Sequence, residues 1–166
     1  LDEVAGKMLQ KSLQERGMQF LMKAQTQELL ADDAGRVRAV RFKDGTEVSA
    51  DLVVMAVGIR PNVALAQSMR LHVNRGIVVN DTMQTTTDAR IYAVGECAEH
   101  RGVAYGLVAP LFEQGKVAAN HLAEFGIGRY QGSLTSTKLK VTGIDLFSAG
   151  DFMGGAGTEE IVMSDP

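Results

Sequence analysis

The sequence predicts an α/β protein, and three patterns support that class. Apolar residues at helical spacing open the chain, two short and wholly apolar runs follow at residues 52–57, within the segment 51–58, and 91–94, and a second helical pattern begins at Pro110. Strands that are apolar throughout are typical of sheets buried on both faces. Helices alternating with such strands indicate a layered fold whose ligands bind at the carboxyl ends of the strands.

The first third of the chain combines a helix with antiparallel strands. Residues 2–16 repeat apolar side chains at helical spacing, and Gly17 follows as a C-terminal cap, so an amphipathic helix is predicted. The run 18–22 predicts a strand. Residues 26–48 predict a three-stranded antiparallel meander, because the Asp44-Gly45 pair is a strong two-residue hairpin signal.

The middle of the chain predicts buried strands and a crossover. Residues 51–58 form the first buried strand, which ends at Gly58, and residues 59–62 form the crossover. Asn62 is suited to cap a short helix. Residues 76–79 predict another strand, and residues 91–94 predict the second buried strand, which stops at Gly95 and is followed by a loop over residues 97–107.

The last third predicts one long helix and further strands. Pro110 in a first helical turn opens the helix, and glycines at 126 and 128 close it. Its apolar face is predicted to contain Leu111, Phe112, Ala118, Leu122 and Phe125. Alternating residues then predict strands at 135–141 and 144–149, and residues 160–166 predict a final strand.

Composition narrows the function classes. The chain is 45% hydrophobic and 22% charged, as ordinary globular proteins are, and its formal net charge of −3 with scattered Lys and Arg argues against nucleic acid as a partner. No apolar run is long enough to cross a membrane and no signal peptide is recognised, so we expect a cytoplasmic protein. Cys97 is the only cysteine and the three histidines lie on separate elements, so no metal site is expected.

Three segments are candidate functional sites, each with an ordinary structural alternative. Gly95-Glu96 follows a strand and offers a carboxylate to a ribose or ribityl hydroxyl; the alternative is a turn with a solvated acid. Residues 106–110 place free amides at a helix N-terminus, which favours an anion or a polarised carbonyl; the alternative is a helix capped by proline. Residues 56–62 suggest a hinge between two nucleotide-binding lobes; the alternative is a strand-to-helix turn.

Longer motifs that include these segments indicate a resemblance to a known protein family. Residues 51–62, followed by residues 91–98, resemble the two-dinucleotide flavoproteins of the pyridine nucleotide-disulfide oxidoreductase family. Residues 95–102, 105–111 and 136–143 resemble the large subunits of assimilatory NAD(P)H-dependent nitrite reductases, a branch of that family. The resemblance runs over nearly the whole chain.

The resemblance implies an internal fragment, since neither of the family's Gly-x-Gly-x-x-Gly loops is present. Residues 1–61 would be the distal half of the NAD(P)H-binding domain, residues 62–129 the returning part of the FAD-binding domain, and residues 130–166 the start of an interface domain. An α/β fold with two dinucleotide-binding domains and a three-layer ββα arrangement is thereby expected.

The resemblance also implies the cofactor contacts. Gly95 and Glu96 would lie at the ribityl chain of FAD, and Val108, Ala109 and Pro110 would aim a helix at the flavin N1 and O2 edge. Most of the family has Asp after the glycine, so the longer Glu96 puts a direct contact in doubt and allows a water-mediated one. No catalytic residue is assigned, and Cys97 is expected to be structural.

The implied activity belongs to the intact protein. Hydride would pass from NAD(P)H to FAD, and electrons would continue through iron–sulfur centres and siroheme, in domains absent here, to reduce nitrite to ammonium. The chain alone is expected to be inactive. Its partners would be the remainder of its own polypeptide and a nitrite reductase small subunit, and a homodimer would cover exposed sheet surface. The alternatives are a ferredoxin or rubredoxin reductase or an NADH oxidase of the same family, and a standalone, non-enzymatic α/β interaction module.

Overall fold

The computed structural model describes residues 2–139, 143–151, 153–163 and 165. The chain divides into two compact units, Leu1–Gly58 and Ile59–Pro166. Both units contain helices and strands, in agreement with the predicted α/β class. Of the helices in these ranges, none combines the length and apolar character that a bilayer crossing demands.

The first unit opens with helix α1, Glu3–Glu15, which confirms the predicted helix. Asp2 caps it, because its side chain accepts a hydrogen bond from Ala5 N–H at 2.8 Å, and Gly17 leaves it with a φ of +90°. The strand predicted at residues 18–22 is wrong: residues 18–21 are irregular and a turn begins at Met22. Their apolar side chains are largely exposed, and no described strand lies beside them.

The predicted antiparallel meander is confirmed. Its strands are β1, Thr26–Ala31, β2, Val37–Phe42, and β3, Glu47–Ser49, paired in the order β1-β2-β3. Gly45 turns the β2–β3 hairpin with a φ of +86°. Arg41 on the central strand forms ion pairs with Glu28 and Glu47 on the two outer strands.

The buried strand predicted at residues 51–58 is wrong. The segment has no regular strand structure, and Leu52, Val54, Met55 and Val57 are each more than three quarters exposed. An apolar strand is buried only when sheet neighbours cover both edges and both faces, and the described chain gives this segment none.

The second unit is built around a parallel strand pair. The short helix α2, Ala64–Ser68, has Val63 rather than the predicted Asn62 as its N-terminal cap, although Asn62 Oδ1 accepts a hydrogen bond from Ala64 N–H at 3.3 Å. Strand β4, Ile77–Val79, confirms the prediction for residues 76–79 and pairs in parallel with β5, Ala98–His100.

The second buried strand, predicted at residues 91–94, is wrong. Residues 91–94 form only one isolated bridge, between Tyr92 and Gln84, and β5 lies in the predicted loop instead. The apolar run still packs inward, since Ala93 is 7% exposed and donates to Met83 O.

Helix α3, Val108–Leu122, begins two residues before Pro110. Its buried residues are Pro110, Gln114 and Ala118, spaced four apart. Leu111 is half-buried against the core, but Phe112, Leu122 and Phe125 are exposed, so the predicted apolar face is wrong for these three. The core of the unit contains Val79, Met83, Ala93, Ala98, Tyr105, Ala118 and Tyr130.

The chain ends in a short hairpin and an irregular tail. Strands β6, Ser136–Lys138, and β7, Phe147–Ala149, are antiparallel and confirm the predicted pair where it is described. Residues 140 and 141 of that prediction lie outside the described residues. The final strand predicted at 160–166 is absent over residues 160–163, and residues 164 and 166 are not described.

Candidate functional site

The Gly95–Glu96 pair lies in a tight turn that leads into β5. Gly95 has a φ of +92°, a conformation that glycine adopts without a steric penalty, and its carbonyl accepts a hydrogen bond from Ala98 N–H at 3.1 Å. A Cβ added at Gly95 would meet no atom within 4 Å. The sequence therefore placed the glycine correctly at a turn, although the regular strand begins after it rather than before it.

Glu96 is exposed at the tip of this turn. Among the described residues it has no hydrogen-bond or ion-pair partner, and the carboxylate is free to accept hydrogen bonds from outside the chain. Cys97 beside it is half-buried, and its thiol donates to Val94 O at 3.4 Å.

The start of α3 is the second part of the site. Leu107 precedes the helix in an extended conformation, and no side chain caps the first amides. Val108 and Ala109 are exposed, whereas Pro110 is buried and lacks only an N–H that an α-helix leaves unpaired in any case. The two amides and the helix dipole together favour an electron-rich ligand atom.

A single side chain joins the turn to the helix. Gln114 lies one turn beyond Pro110 on the buried face of α3, and its Oε1 accepts a hydrogen bond from Gly95 N–H at 2.9 Å. The structure thus brings Gly95 against the helix that begins at Val108. It gives no contact between Glu96 and Val108, Ala109 or Pro110, whose shared role stays a prediction.

The segment predicted as a hinge also approaches the helix start. Gly58 has a φ of +87°, and the boundary between the two compact units falls directly after it. A Cβ added at Gly106 would lie 3.2 Å from Ile59 Cδ1, so Ile59 packs closely on the loop that enters α3. The hinge itself stays a prediction.

Buried polar residues behind the site were missed by the sequence reasoning. Tyr130 is 3% exposed and its hydroxyl lies 2.7 Å from Ser133 Oγ, which in turn donates to Glu113. The Tyr105 hydroxyl accepts from Ser133 N–H at 3.1 Å. Burial raises the pKa of Tyr130, so its hydroxyl stays protonated and able to donate.

A second polar cluster fixes the other side of Tyr130. His100, 2% exposed, lies with Nε2 2.8 Å from Asp81 Oδ1, and Arg101 donates two hydrogen bonds to the same carboxylate. Hydrogen bonds from Arg101 and then His100 lower the pKa of Asp81. The Asp81 carbonyl also accepts from Tyr130 N–H at 2.7 Å, so the cluster anchors the chain beyond α3.

The donor set suits an organic ligand better than a metal ion. The described residues contain no group of three or more His, Cys, Asp or Glu side chains able to hold a metal. What the site offers is one free carboxylate, two free helix amides and a glycine with open space around it. Hydroxyl donors and a carbonyl or anionic edge on one ligand would satisfy these groups, and FAD carries both.

The chain is similar to known flavin- and pyridine-nucleotide-linked oxidoreductases. Residues 1–124 match the model of a protein family described as pyridine nucleotide-disulphide oxidoreductase. Among solved structures, putidaredoxin reductase in its covalent complex with putidaredoxin is similar with a TM-score of 0.82 and 28% identity, over 90% of this chain and 37% of that one.

Two curated relatives come from Bacillus subtilis (strain 168). The NAD(P)H nitrite reductase is 59% identical over 152 residues, which are 92% of this chain. The assimilatory nitrate reductase electron transfer subunit is 47% identical over 165 residues, which are 99% of this chain. The chain spans only 18% and 21% of the lengths of these two relatives.

Proposed function

Because the chain belongs to the pyridine nucleotide-disulphide oxidoreductase family, we propose that it contributes to an NAD(P)H-dependent flavin oxidoreductase and that Gly95, Glu96 and the start of α3 contact FAD. The carrying observation is the 2.9 Å hydrogen bond between Gly95 N–H and Gln114 Oε1. It ties the turn to the helix and leaves the ligand-facing groups unpaired. The flavin, when bound, would supply a hydride acceptor for NAD(P)H and a source of single electrons.

Glu96 would accept hydrogen bonds from the ribityl hydroxyls, directly or through a bridging water. Its carboxylate is exposed and without a partner among the described residues, so binding would not first have to break a contact within the protein. Gly95 would allow the ligand to approach the backbone, since no side chain occupies that place.

The start of α3 would face the N1 and O2 edge of the flavin ring. The amides of Val108 and Ala109 would donate hydrogen bonds there, and Pro110 would fix the first turn of the helix. The positive end of the helix dipole would favour negative charge at that edge.

We further propose that the whole protein is a nitrite reductase of the assimilatory type, on the strength of the 59% identity to the Bacillus subtilis NAD(P)H nitrite reductase. Electrons would leave through iron–sulfur centres and siroheme in other parts of the polypeptide and reduce nitrite to ammonium. Residues 1–61 would belong to the NAD(P)H-binding domain, residues 62–129 to the FAD-binding domain and residues 130–166 to the interface domain. A cytoplasmic location, a small-subunit partner and a homodimer remain parts of this proposal.

The test compares Glu96→Ala with wild type in the full-length polypeptide. Loss of a hydrogen-bonded carboxylate should weaken FAD binding by roughly tenfold, measured by quenching of flavin fluorescence. Asp145→Ala, which removes another exposed carboxylate of the second unit, is the matched control and should bind FAD as wild type does. An unchanged dissociation constant in Glu96→Ala would remove Glu96 from the site.

A second candidate is a reductase of small electron carriers, as ferredoxin and rubredoxin reductases are, and an NADH oxidase would share the same fold. The structural similarity to putidaredoxin reductase favours it. Siroheme absorbance in the purified full-length polypeptide would support nitrite reductase, and its absence together with NAD(P)H-dependent reduction of a carrier would support the second candidate. A standalone interaction module would bind neither FAD nor NAD(P)H.

A further inference from the structure

Gln114 is a polar residue in an apolar place. It occupies the centre of the buried face of α3, between Pro110 and Ala118, and its side chain has no exposed surface. Its Oε1 accepts the Gly95 N–H, but its Nε2 has no hydrogen-bond partner among the described residues. Burying a polar amide is costly, so packing alone does not explain a glutamine here.

The orientation of the Gln114 amide follows from chemistry. A backbone N–H can only donate, so Oε1 must face Gly95 and Nε2 must point away from the turn. The Ser133 hydroxyl donates its hydrogen to Glu113, so the Tyr130 hydroxyl donates to Ser133 Oγ. The oxygen of the Tyr130 hydroxyl is then available as an acceptor for Gln114 Nε2. The Gln114 side chain also opposes the rise in the pKa of Tyr130, as a donor close to its oxygen would.

A hydrogen bond to one side chain, Gln114, links the turn that carries Glu96 to α3. Ile77 N–H of β4 donates to Cys97 O at 2.7 Å, and the turn at 95–97 is otherwise closed by two contacts of its own, Ala98 N–H to Gly95 O and the Cys97 thiol to Val94 O. None of these contacts reaches the helix. Gln114 supplies the side-chain hydrogen bond that does.

We propose that Gln114 is a positioning residue for the flavin site: it holds the Gly95–Glu96 turn at a fixed place beside α3, so that the carboxylate and the helix amides act on one ligand together. This inference rests on the proposed function. Gln114 itself need not touch the ligand, since it is fully buried behind the turn.

Two variants of the full-length polypeptide test it. Gln114→Met keeps the volume but removes the acceptor for Gly95 N–H, and it should weaken FAD binding by about tenfold, the equivalent of one hydrogen bond. Gln114→Glu retains an oxygen that faces Gly95, so its dissociation constant should lie closer to wild type, and it serves if the Met variant does not fold. Exchange of the Gly95 amide hydrogen, followed by mass spectrometry on peptides that cover the turn, should accelerate in the Met variant only.

Ala118→Gly is the matched control, because it weakens the same buried face of α3 without reaching Gly95. Equal effects of Gln114→Met and Ala118→Gly on FAD binding and on Gly95 exchange would overturn the positioning role. If wild type itself binds no FAD, the proposed function fails, and amide exchange alone then tests the positioning role. Faster exchange at Gly95 confined to Gln114→Met supports that role, and unchanged exchange refutes it.

Discussion

A methyl group added at Gly76 should disrupt the parallel strand pair of the second unit. A Cβ at this position would lie 2.9 Å from Cys97 O, 3.1 Å from Ala98 C and 3.1 Å from Glu99 Cβ. The two nearest atoms belong to the backbone, so no side-chain rotation can relieve the contact. Relief requires β4 and β5 to move apart.

The cost can be worked from the contacts that this separation would strain. Ile77 N–H donates to Cys97 O at 2.7 Å, and Gly76 N–H donates to the buried Glu99 carboxylate at 2.9 Å. Overpacking costs about 1–3 kcal/mol, and a weakened hydrogen bond adds about 1 kcal/mol. We therefore expect Gly76→Ala to lower the free energy of unfolding by roughly 3 kcal/mol.

Urea unfolding followed by tyrosine fluorescence is the assay. The chain has no tryptophan and its three tyrosines all lie in the second unit, so the signal reports on that unit. With an m-value of about 1.5 kcal/mol/M, the midpoint should fall by about 2 M. Gly115→Ala is the control: its Cβ would meet no atom beyond its own helix, and alanine should stabilise α3 by up to about 1 kcal/mol. A midpoint for Gly76→Ala within experimental error of wild type would refute the reasoning.

Three further predictions concern titration and capping. Burial opposes ionisation of Glu99, but hydrogen bonds from Gly76 N–H and the Asn74 amide lower its pKa below 4.5. Glu99 therefore contributes fully to stability above that pH and loses this contribution on acidification, and Glu99→Gln should flatten the acid limb of the unfolding midpoint plotted against pH. The pKa of Tyr130 is raised above 10, so stability should decline as the pH rises past 10. Absorbance at 295 nm should show this phenol ionising late, and the late signal should be absent from Tyr130→Phe. Asp2→Ala removes the acceptor for Ala5 N–H and should reduce helical circular dichroism, whereas Asp2→Asn should retain it.

Elements defined by short-range chemistry could be predicted from the sequence. Helix α1 has its apolar spacing, its cap at Asp2 and its terminal Gly17 within one stretch of chain, and the Asp44-Gly45 hairpin needs only its own turn geometry. Residues 52–57 have equally strong strand composition. They form no strand because pairing depends on neighbours far away in sequence, which composition does not specify.

The same distinction between local and long-range signals applies to the residues of the candidate site. Glycine at 95 and proline at 110 are signals of local backbone geometry, and both identified real features, a left-handed turn and a helix start. Gln114 could not be found by that route, because glutamine in a helix is normally assigned to solvent. The available signal in the sequence was a polar residue four positions from both Pro110 and Ala118. Its meaning depends on the packing of α3 against Gly95, which the sequence does not specify.

The hydrogen bond from Tyr130 N–H to Asp81 O has a consequence for the order of folding. It closes a loop of about fifty residues, so the chain loses conformational entropy on loop closure before the contact can stabilise the fold. Strand β5 and helix α3 lie inside this loop and β4 directly precedes it, so all three can form first and Tyr130 should dock late, after the folding transition state. Substitutions at Tyr130 should then accelerate unfolding while leaving the folding rate almost unchanged, which makes this residue a determinant of how long the folded unit persists.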